Sequence, residues 1–468
     1  MVCGASPGDS SSISSRMPAS TTAIQPPSKI DGLQLAVMAL IFGQVWRIQD
    51  FYPVLAAVKF PTLSLAAAVG FFVLDGDPRR RIVAIQHSRL VRMMIALAAV
   101  LVIGVPAGIY PGRTFTFVTS DYLPMLVYAL LMALSIRDIH DVRRYAFAMI
   151  CGGIFYAGYV HLFFTVGIGG RLGNLVYYDA NDLAALLVWT LPFIIYAARS
   201  KGMVGKGLAL VGIPLYVMVI MKSGSRGGFL GFVAVMLFVL LRYDVVSAKV
   251  RMGVVTAAVG LLAMVGSAEY WANMKTLLNP KDDYNWSGNS ESGRMEVWKR
   301  GMGYMITHPF VGVGGRNFPI AEGTLSEQGR LTEELGIGFK WSAPHNSFVE
   351  IGAEAGVTGL ALFLGMLGWS FANLRRIKRA SGGKSDADIE FRSLALSGSG
   401  AFVGYCVAGF FVTGAFMPLL YTLFALAMGI TKVHAWHAAQ SRSSATGAPL
   451  ETAPRRVVRR RGGLAPVA

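Results

Sequence analysis

Long apolar runs separated by short polar connections make up most of this chain. Runs of about 17 to 25 apolar residues have the length that a helix needs to cross the hydrocarbon core of a bilayer. This pattern predicts about twelve membrane-spanning helices. They are centred near residues 32–48, 53–75, 91–109, 116–136, 145–167, 182–198, 205–221, 228–242, 251–268, 347–373, 392–412 and 415–436. The predicted fold class is therefore all-α, a polytopic membrane protein with one large loop.

Charged residues are few, and they are unevenly placed. Only 15% of the 468 residues are charged and 54% are hydrophobic, whereas an ordinary soluble domain carries about 25% charged residues. Cytoplasmic loops of membrane proteins are enriched in Lys and Arg, and here every second connection is basic. These connections are 77–92, 137–144, 199–206, 242–251 and 375–388, and the basic stretch 455–461 falls on the same side. An even number of spans then predicts that both termini are cytoplasmic.

The formal net charge of +17 comes mainly from this bias in the loops. We expect the anionic head groups of membrane lipids to be its partner. A nucleic-acid partner is not expected, because the basic residues are scattered over short loops and not concentrated on one folded domain.

The chain divides into five predicted parts. Residues 1–30 are rich in Ser and Pro and lack a signal-peptide core, which predicts a disordered cytoplasmic tail with Met17 as an alternative start. The remaining parts are nine spans over 31–268, an outer loop over 269–345, three spans over 346–437 and a basic cytoplasmic tail over 438–468. The outer loop is long enough for a small helical domain, and loops of this length are uncommon without a role.

Several familiar sites can be excluded. The three cysteines have no metal-type spacing. The stretch GGKS at 382–385 lacks the earlier glycine of a phosphate-binding loop, because Lys378 stands at that position. The adjacent acids Asp282 and Asp283 are too weak a signal for a metal site. The sequence therefore predicts neither a cofactor nor a bound metal.

The stretch SAPHNSFVEIGAEAGVTG, residues 342–359, ends the outer loop and begins the tenth span. Ser347 followed by Glu350 has the form of a capping box, which predicts that the helix starts at Ser347. His345 then lies just before a helix N-terminus, where the helix dipole disfavours imidazolium. A neutral histidine at the outer surface is a candidate general base. The alternative is an interfacial histidine that is hydrogen-bonded to the loop.

Three arginines are predicted on the same side of the membrane, where the topology rule makes basic residues less expected. They are Arg226 in KSGSRGG, Arg294 in SGRMEVWKRG and Arg171 in GGRLGNLVYYDAN. Taken singly, each is explained as a snorkelling or loop-structuring residue. A guanidinium also presents a rigid fork of donors that suits phosphate oxygens. Together with a base, these arginines predict a site for a lipid-linked phosphate or diphosphate.

His345, Asn346, Gly356 and Gly359 reproduce the signature H-[NSQ]-x9-G-x-x-[GTY]. In this the chain resembles the superfamily of O-antigen ligases and O-antigen polymerases, which also contains bacterial protein O-oligosaccharyltransferases. The segments SGSRGG and SGRMEVW resemble its two arginine motifs, and THPFVGVGGRNF resembles its P-x-x-G-x-G-x-x-x-F stretch. Arg316 within that stretch is an added positive charge. The two glycines are expected either to support the site or to pack helices.

This resemblance implies a GT-C-like membrane glycosyltransferase that is inverting and metal-independent and needs no cofactor. Such an enzyme takes glycan from undecaprenyl diphosphate at the periplasmic face of the bacterial inner membrane and passes it to an acceptor hydroxyl. By carry-over, His345 activates the acceptor, and Arg226 and Arg294 hold the donor diphosphate, with Arg171 beside them. Asn346 either orients the imidazole or caps the helix.

Three acceptors remain open within this superfamily. A ligase uses lipid A core oligosaccharide, a polymerase uses another lipid-linked repeat unit, and a protein transferase uses Ser or Thr of an exported protein. One dominant outer loop before the signature histidine favours the ligase. The loop has no strand pattern for a peptide acceptor, and its cations offer contacts to an anionic core oligosaccharide. Those cations are Lys275, Lys281, Lys299 and Arg300.

A transporter of lipid-linked glycan is the alternative from another class. Glu350 and Glu354 lie four residues apart on one helical face, and acids inside a membrane often mark ion routes. The sequence shows no inverted repeat of the kind that builds many transporters. Both acids also fall within about two helical turns of the outer surface, and Glu350 has a capping explanation.

Overall fold

The computed structural model describes residues 28–76, 81–82, 85–167, 170–173, 175, 177–200, 202–279, 283, 285–286, 292–336 and 341–446. These residues are mainly helical, and their only β-pairing is an isolated bridge between Val166 and Leu172. The α-helices are α1 (Gly32–Leu40), α2 (Pro53–Ala57), α3 (Phe60–Val73), α4 (Arg89–Ala107), α5 (Pro111–Thr116), α6 (Leu123–Ser135), α7 (Ile139–Phe163), α8 (Ala180–Ala198), α9 (Met203–Lys222), α10 (Arg226–Arg242), α11 (Ala248–Val265), α12 (Ala268–Lys275), α13 (Arg294–Thr307), α14 (Phe318–Thr324), α15 (Glu327–Glu334), α16 (Ser347–Ala380), α17 (Asp386–Ala408) and α18 (Pro418–Thr446).

Within the described residues, nine helical segments are long and apolar enough to cross a membrane. They are Arg89–Ala107, Pro111–Ser135, Ile139–Phe163, Ala180–Ala198, Met203–Lys222, Ala248–Val265, Ser347–Ala380, Asp386–Phe411 and Pro418–Ser443. The other three predicted runs correspond to shorter helices, Gly32–Val45, Phe60–Val73 and the 17-residue α10. The prediction of a polytopic all-α membrane protein is confirmed.

Helix α8 forms the centre of the bundle and packs against α9, α10 and α17. Its side chains are buried along nearly the whole helix, including Trp189 and Phe193. Helix α11 is the opposite case, because only Ala258 and Leu262 of its residues are buried. An apolar helix that the protein leaves uncovered is suited to contact with lipid. The bundle therefore has a closely packed centre, and the first turn of α8 reaches the cavity described below.

Several basic connections meet at one end of the bundle. Asp244, which follows the C-terminal end of α10, pairs with Lys378 at 2.9 Å and with Arg392 at 2.8 Å. Partial burial raises the pKa of Asp244, but hydrogen bonds from these two cations outweigh it and hold the pKa below its ordinary value. Arg143 pairs likewise with Glu390 at 2.6 Å. Two of the connections predicted to share one side of the membrane, 242–251 and 375–388, therefore meet directly, and a third, 137–144, meets the first turns of α17.

Helices α12 to α15, which we call the loop layer, lie in the chain between α11 and α16. A small apolar cluster joins this layer to α16, and it consists of Val297, Tyr304, Val313, Phe318, Ala321 and Ala353. Beside the cluster, Arg300 binds the buried carboxylate of Glu322 through two bonds of 2.6 and 3.0 Å. Tyr304 also donates to Glu322 at 2.9 Å, and burial together with that negative charge raises the pKa of Tyr304.

Two of the loop cations predicted to contact an anionic acceptor have partners within the loop layer. Arg300 forms an ion pair with Glu322, so its charge is neutralised without a bound acceptor oligosaccharide. Lys299 pairs with Glu296 at 2.6 Å. Lys281 lies outside the described residues, as do most of the predicted tails 1–30 and 438–468.

Candidate active site

One cavity beside the loop layer brings together the predicted base and the three predicted arginines. His345, Arg171, Arg226 and Arg294 all line it, and its volume is about 520 Å³. They come from four places: the segment before α8, the first residue of α10, the first residue of α13 and the turn before α16. Binding sites for small molecules have volumes of about 300–1,000 Å³. The cavity is therefore large enough for a charged group together with a further part of a substrate.

His345 sits in a turn that is held on both sides. Its backbone φ of 43° is left-handed, a conformation that is uncommon outside glycine and is enriched at functional sites. The backbone N–H of His345 donates to Thr413 Oγ1 at 3.1 Å. The carbonyl of Pro344 accepts a bond of 2.7 Å from the indole N–H of Trp298, a residue of the second arginine segment. Sequence reasoning missed Trp298 and Thr413, because nothing in their spacing connects them to His345.

Asn346 caps α16. Its Oδ1 accepts hydrogen bonds from the N–H groups of Phe348 at 2.9 Å and Val349 at 3.1 Å. Of the two roles predicted for Asn346, capping is therefore observed. The buried Asn346 Nδ2 has no hydrogen-bond partner among the described residues.

The predicted capping box is wrong, although α16 does begin at Ser347. The cap comes from the preceding residue, and the side chains of Ser347 and Glu350 bond to the segment 412–415 instead. Ser347 Oγ donates to the carbonyl of Val412 and accepts from the N–H of Gly414, both at 3.1 Å. Glu350 accepts from the N–H of Ala415 at 2.9 Å. The start of α16 is thereby fixed to the segment between α17 and α18.

Gly356 breaks the helical path of α16, with φ 70° and ψ −175°. Such a conformation is essentially restricted to glycine. The carbonyl of Ala353 accepts instead from Val313 N–H at 2.8 Å, and Val357 N–H donates to the Pro309 carbonyl at 2.7 Å. A Cβ on Gly356 would lie 2.4 Å from the Pro309 oxygen, and one on Gly359 would lie 2.3 Å from the Cβ of Ala355. Gly356 and the glycine-rich stretch therefore form one docked unit, whereas the close contact at Gly359 lies within α16 itself.

Arg316 and the two buried acids of α16 belong to this docked unit. The backbone N–H of Arg316 donates to Glu354 at 2.8 Å, and that of Phe318 donates to the same carboxylate at 3.2 Å. Burial lowers the pKa of Arg316, but the negative charges of Glu350 and Glu354 outweigh it and raise the pKa above its ordinary value. Both acids thus have structural partners, so their presence in α16 is explained without a role in ion transport.

Arg226 is the first residue of α10, where Ser225 Oγ accepts from Gly228 N–H at 3.1 Å and caps the helix. Its Nη1 donates to Thr276 Oγ1 at 2.8 Å and forms an ion pair with Asp283. Asp283 is buried, with 6% of its surface exposed. A protein carboxylate therefore contacts the same guanidinium that was predicted to bind the donor. Nothing in the sequence indicates this pair, because 57 residues separate the partners.

Arg294 and Arg171 complete the arginine side of the cavity. Arg294 begins α13, and the N–H of the next residue donates to the carbonyl of Asn285 at 3.1 Å. Asn285 in turn donates to Asp283 from its backbone and its side chain, both at 3.0 Å. Arg171 Nη2 donates to Asn181 Oδ1 at 3.0 Å. Because α10 and α13 both begin at this cavity, the positive ends of two helix dipoles add to the cationic side chains.

The rest of the lining is largely polar. Among the residues that the structure describes, its acids are Asp179 and Asp283, against the three arginines. Its uncharged polar residues are Asn181, Asn273, Thr276, Asn285, Ser292 and Ser342, and its large aromatic residue is Trp341. Bidentate guanidinium groups recognise phosphate oxygens, and amides and hydroxyls recognise hydroxyl groups. The arrangement is therefore suited to an anion that is joined to a hydroxyl-rich group.

Residues 208–364 match the family model Wzy_C, described as O-Antigen ligase. The matched segment contains Arg226, Arg294 and His345, whereas Arg171 lies before it. No curated protein matches the chain. The family match supports glycan transfer of the O-antigen ligase or polymerase type, with a lipid-linked glycan in a membrane. This segment, which holds the predicted base and two of the three arginines, is similar to the O-antigen ligase family and supports the predicted superfamily.

Proposed function

We propose that this chain transfers glycan from undecaprenyl diphosphate to lipid A core oligosaccharide at the periplasmic face of the bacterial inner membrane. The observation that carries the proposal is the shared cavity, in which His345 meets Arg171, Arg226 and Arg294. A base beside a group of fixed guanidinium donors has the components needed to activate an acceptor and to bind a departing diphosphate.

In the proposed reaction, His345 accepts the proton of the acceptor hydroxyl as its oxygen attacks the anomeric carbon of the donor sugar. The bond between that carbon and the diphosphate oxygen breaks, and the diphosphate leaves with the bonding electrons. Attack from the side opposite the leaving group inverts the anomeric centre. Arg226 and Arg294 stabilise the charge that grows on the diphosphate, so their effect is larger in the transition state than in the ground state. No metal ion is required by this scheme.

The choice of a carbohydrate acceptor rests on the loop layer. Its described residues are helical or turn-like, and they offer no strand edge to which an extended peptide could add. This favours a carbohydrate acceptor over an exported protein. A polymerase, whose acceptor is another lipid-linked repeat, is the closest alternative.

The proposed orientation rests on the basic connections. Those that meet around Asp244 and Glu390 are placed in the cytoplasm, with both termini, and the cavity is placed in the periplasm. Single cysteines at exposed positions, such as Arg330 in the loop layer and Lys384 at the other end, test this orientation with a membrane-impermeant thiol reagent. Labelling of the Lys384 variant in intact cells, with protection of the Arg330 variant, would reverse it.

Deleting the gene tests the acceptor. The expected result is polymerised glycan retained on its lipid carrier, lipopolysaccharide reduced to bare core, and exported proteins unaltered. Single repeat units still attached to core would identify a polymerase instead. Intact lipopolysaccharide with unglycosylated exported protein would identify a protein transferase. Vesicles containing the purified chain that move lipid-linked glycan across the bilayer, with no glycan joined to any acceptor, would identify a transporter.

A further inference from the structure

We propose that Trp341 forms a saccharide subsite beside the arginines, on which the donor sugar joined to the diphosphate stacks. The inference deepens the proposed function and rests on it. The observation behind it is an aromatic side chain that lines the same polar cavity as the base and the arginines.

Trp341 lines the cavity and yet is exposed. It lies four residues before His345, and 54% of its surface is exposed although it lines the cavity. Its indole packs on Gly323 of α14, where an added Cβ would lie 2.2 Å from Cε2 and 2.3 Å from Nε1. The ring is thus held against the loop layer while much of its surface remains accessible. A rigid aromatic side chain with an accessible face provides a large contact area at little entropic cost.

The polar side chains that line the cavity with Trp341 suit the hydroxyl groups of a sugar. A pyranose has apolar C–H faces and hydroxyl groups around its edge, so it is recognised by an aromatic face together with amide and hydroxyl side chains. The cavity supplies such side chains from Asn181, Asn273, Asn285, Ser292 and Ser342. A sugar bonded to a diphosphate that the arginines hold has to lie within the same cavity, near His345. This places the first donor sugar, and not a distant one, against Trp341.

Two other roles for a tryptophan can be compared with this one. Trp298 has a structural role, because it is 8% exposed and its indole N–H bonds to the Pro344 carbonyl. Tryptophans also anchor membrane proteins at the interface with water. An anchoring tryptophan contributes to insertion and affects every lipid ligand equally. A stacking tryptophan contributes only when the ligand carries a sugar, so binding of two related lipids separates the two roles.

The test measures binding to the full chain in nanodiscs. One probe is lipid-linked glycan purified from the source bacterium, and the other is undecaprenyl diphosphate without sugar. We expect Trp341→Ala to weaken binding of the glycan-bearing lipid about tenfold and to leave binding of the bare lipid unchanged. Trp341→Phe, which keeps an aromatic face, should bind both lipids within about threefold of the original chain. Trp436→Ala, at a 44% exposed tryptophan of α18 outside the cavity, is the matched control and should change neither.

An equal loss for both lipids in Trp341→Ala would assign the residue to anchoring or folding and overturn the subsite. Unchanged binding of both lipids would overturn it as well. Because the readout is binding, it is independent of the proposed transfer reaction. If His345→Ala kept full transfer activity, the proposed role of the base would fail while the Trp341 subsite would still be judged on its own result.

Discussion

The two sides of the cavity are built from different kinds of contact. On the side of His345, the bonds that fix residues 345–350 to 412–415 each join a backbone group to a side chain, and backbone pairs dock 309–318 on the break at Gly356. On the arginine side, the guanidinium of Arg226 is held by side chains alone among its described partners, Thr276 and Asp283.

This difference predicts that His345 is held in a fixed position, whereas the arginine side can exchange its anion. Backbone bonds and a glycine-only conformation set the position of a group within narrow limits, as proton transfer to a base requires. A side-chain ion pair can exchange one anion for another without moving the backbone. We therefore expect substitutions on the side of His345 to cause large losses, and substitutions on the arginine side to cause graded changes in affinity.

The largest expected effect is that of His345→Ala. Loss of a general base should lower the transfer rate by about a hundred- to ten-thousandfold, with membrane insertion and donor binding nearly intact. Transfer from purified lipid-linked glycan to purified acceptor measures the rate. His308→Ala, at a histidine of the same loop that does not line the cavity, is the control and should retain activity. Near-normal transfer by the His345 variant would remove the base assignment.

Gly356→Ala tests whether the docked unit positions the base. Alanine is strained at φ 70°, and its Cβ would meet the Pro309 carbonyl oxygen, so the segment 309–318 should separate from α16. A displacement of His345 by about 1 Å costs on the order of a hundredfold in rate. The thermal midpoint should also fall. Gly368→Ala lies in the same helix with open space around the added Cβ and should behave like the original chain. Equal activity of both variants would mean that the break does not position His345.

Arg226→Lys tests the arginine side. Lysine keeps the charge but loses the fork, so we expect kcat/KM to fall about tenfold or more if the diphosphate is held by two bonds. For Arg294→Lys we expect a smaller fall in kcat/KM if the loop layer can shift so that the lysine reaches the diphosphate. Arg330→Lys, at an exposed arginine of α15 outside the cavity, is the control. Full activity of Arg226→Lys would show that a diffuse charge is sufficient at that position.

The same division explains what could be predicted from the sequence. Hydrophobic run length predicted the helices, because a bilayer sets their length directly, and the signature pointed to His345 and the two glycines. The pattern could not show that Gly356 is a helix break, since its partner Pro309 lies in another segment. It also missed Asp283, Trp298 and Thr413, whose roles depend on contacts between distant residues. The capping box at Ser347 failed because a tertiary contact with 412–414 used that hydroxyl.

Asp283→Asn gives the smallest expected effect and the sharpest test of exchange. The carboxylate of Asp283 competes with a bound anion for Arg226, but it also holds the guanidinium in place. Asparagine removes the negative charge and offers one acceptor oxygen in place of two, so it can keep either the bond from Arg226, which Oδ2 now accepts, or the bonds from Asn285, which Oδ1 now accepts. With that oxygen toward Arg226, the amide still orients the guanidinium, and no negative charge competes with the bound anion. We expect binding of inorganic pyrophosphate, measured by calorimetry at constant ionic strength, to tighten about two- to fivefold. Glu296→Gln removes a charge from the same loop outside the cavity and should leave the affinity unchanged. Weaker binding in the Asp283 variant alone would mean that this carboxylate orients Arg226 for its ligand, and the arginine side would then be as fixed as the side of His345.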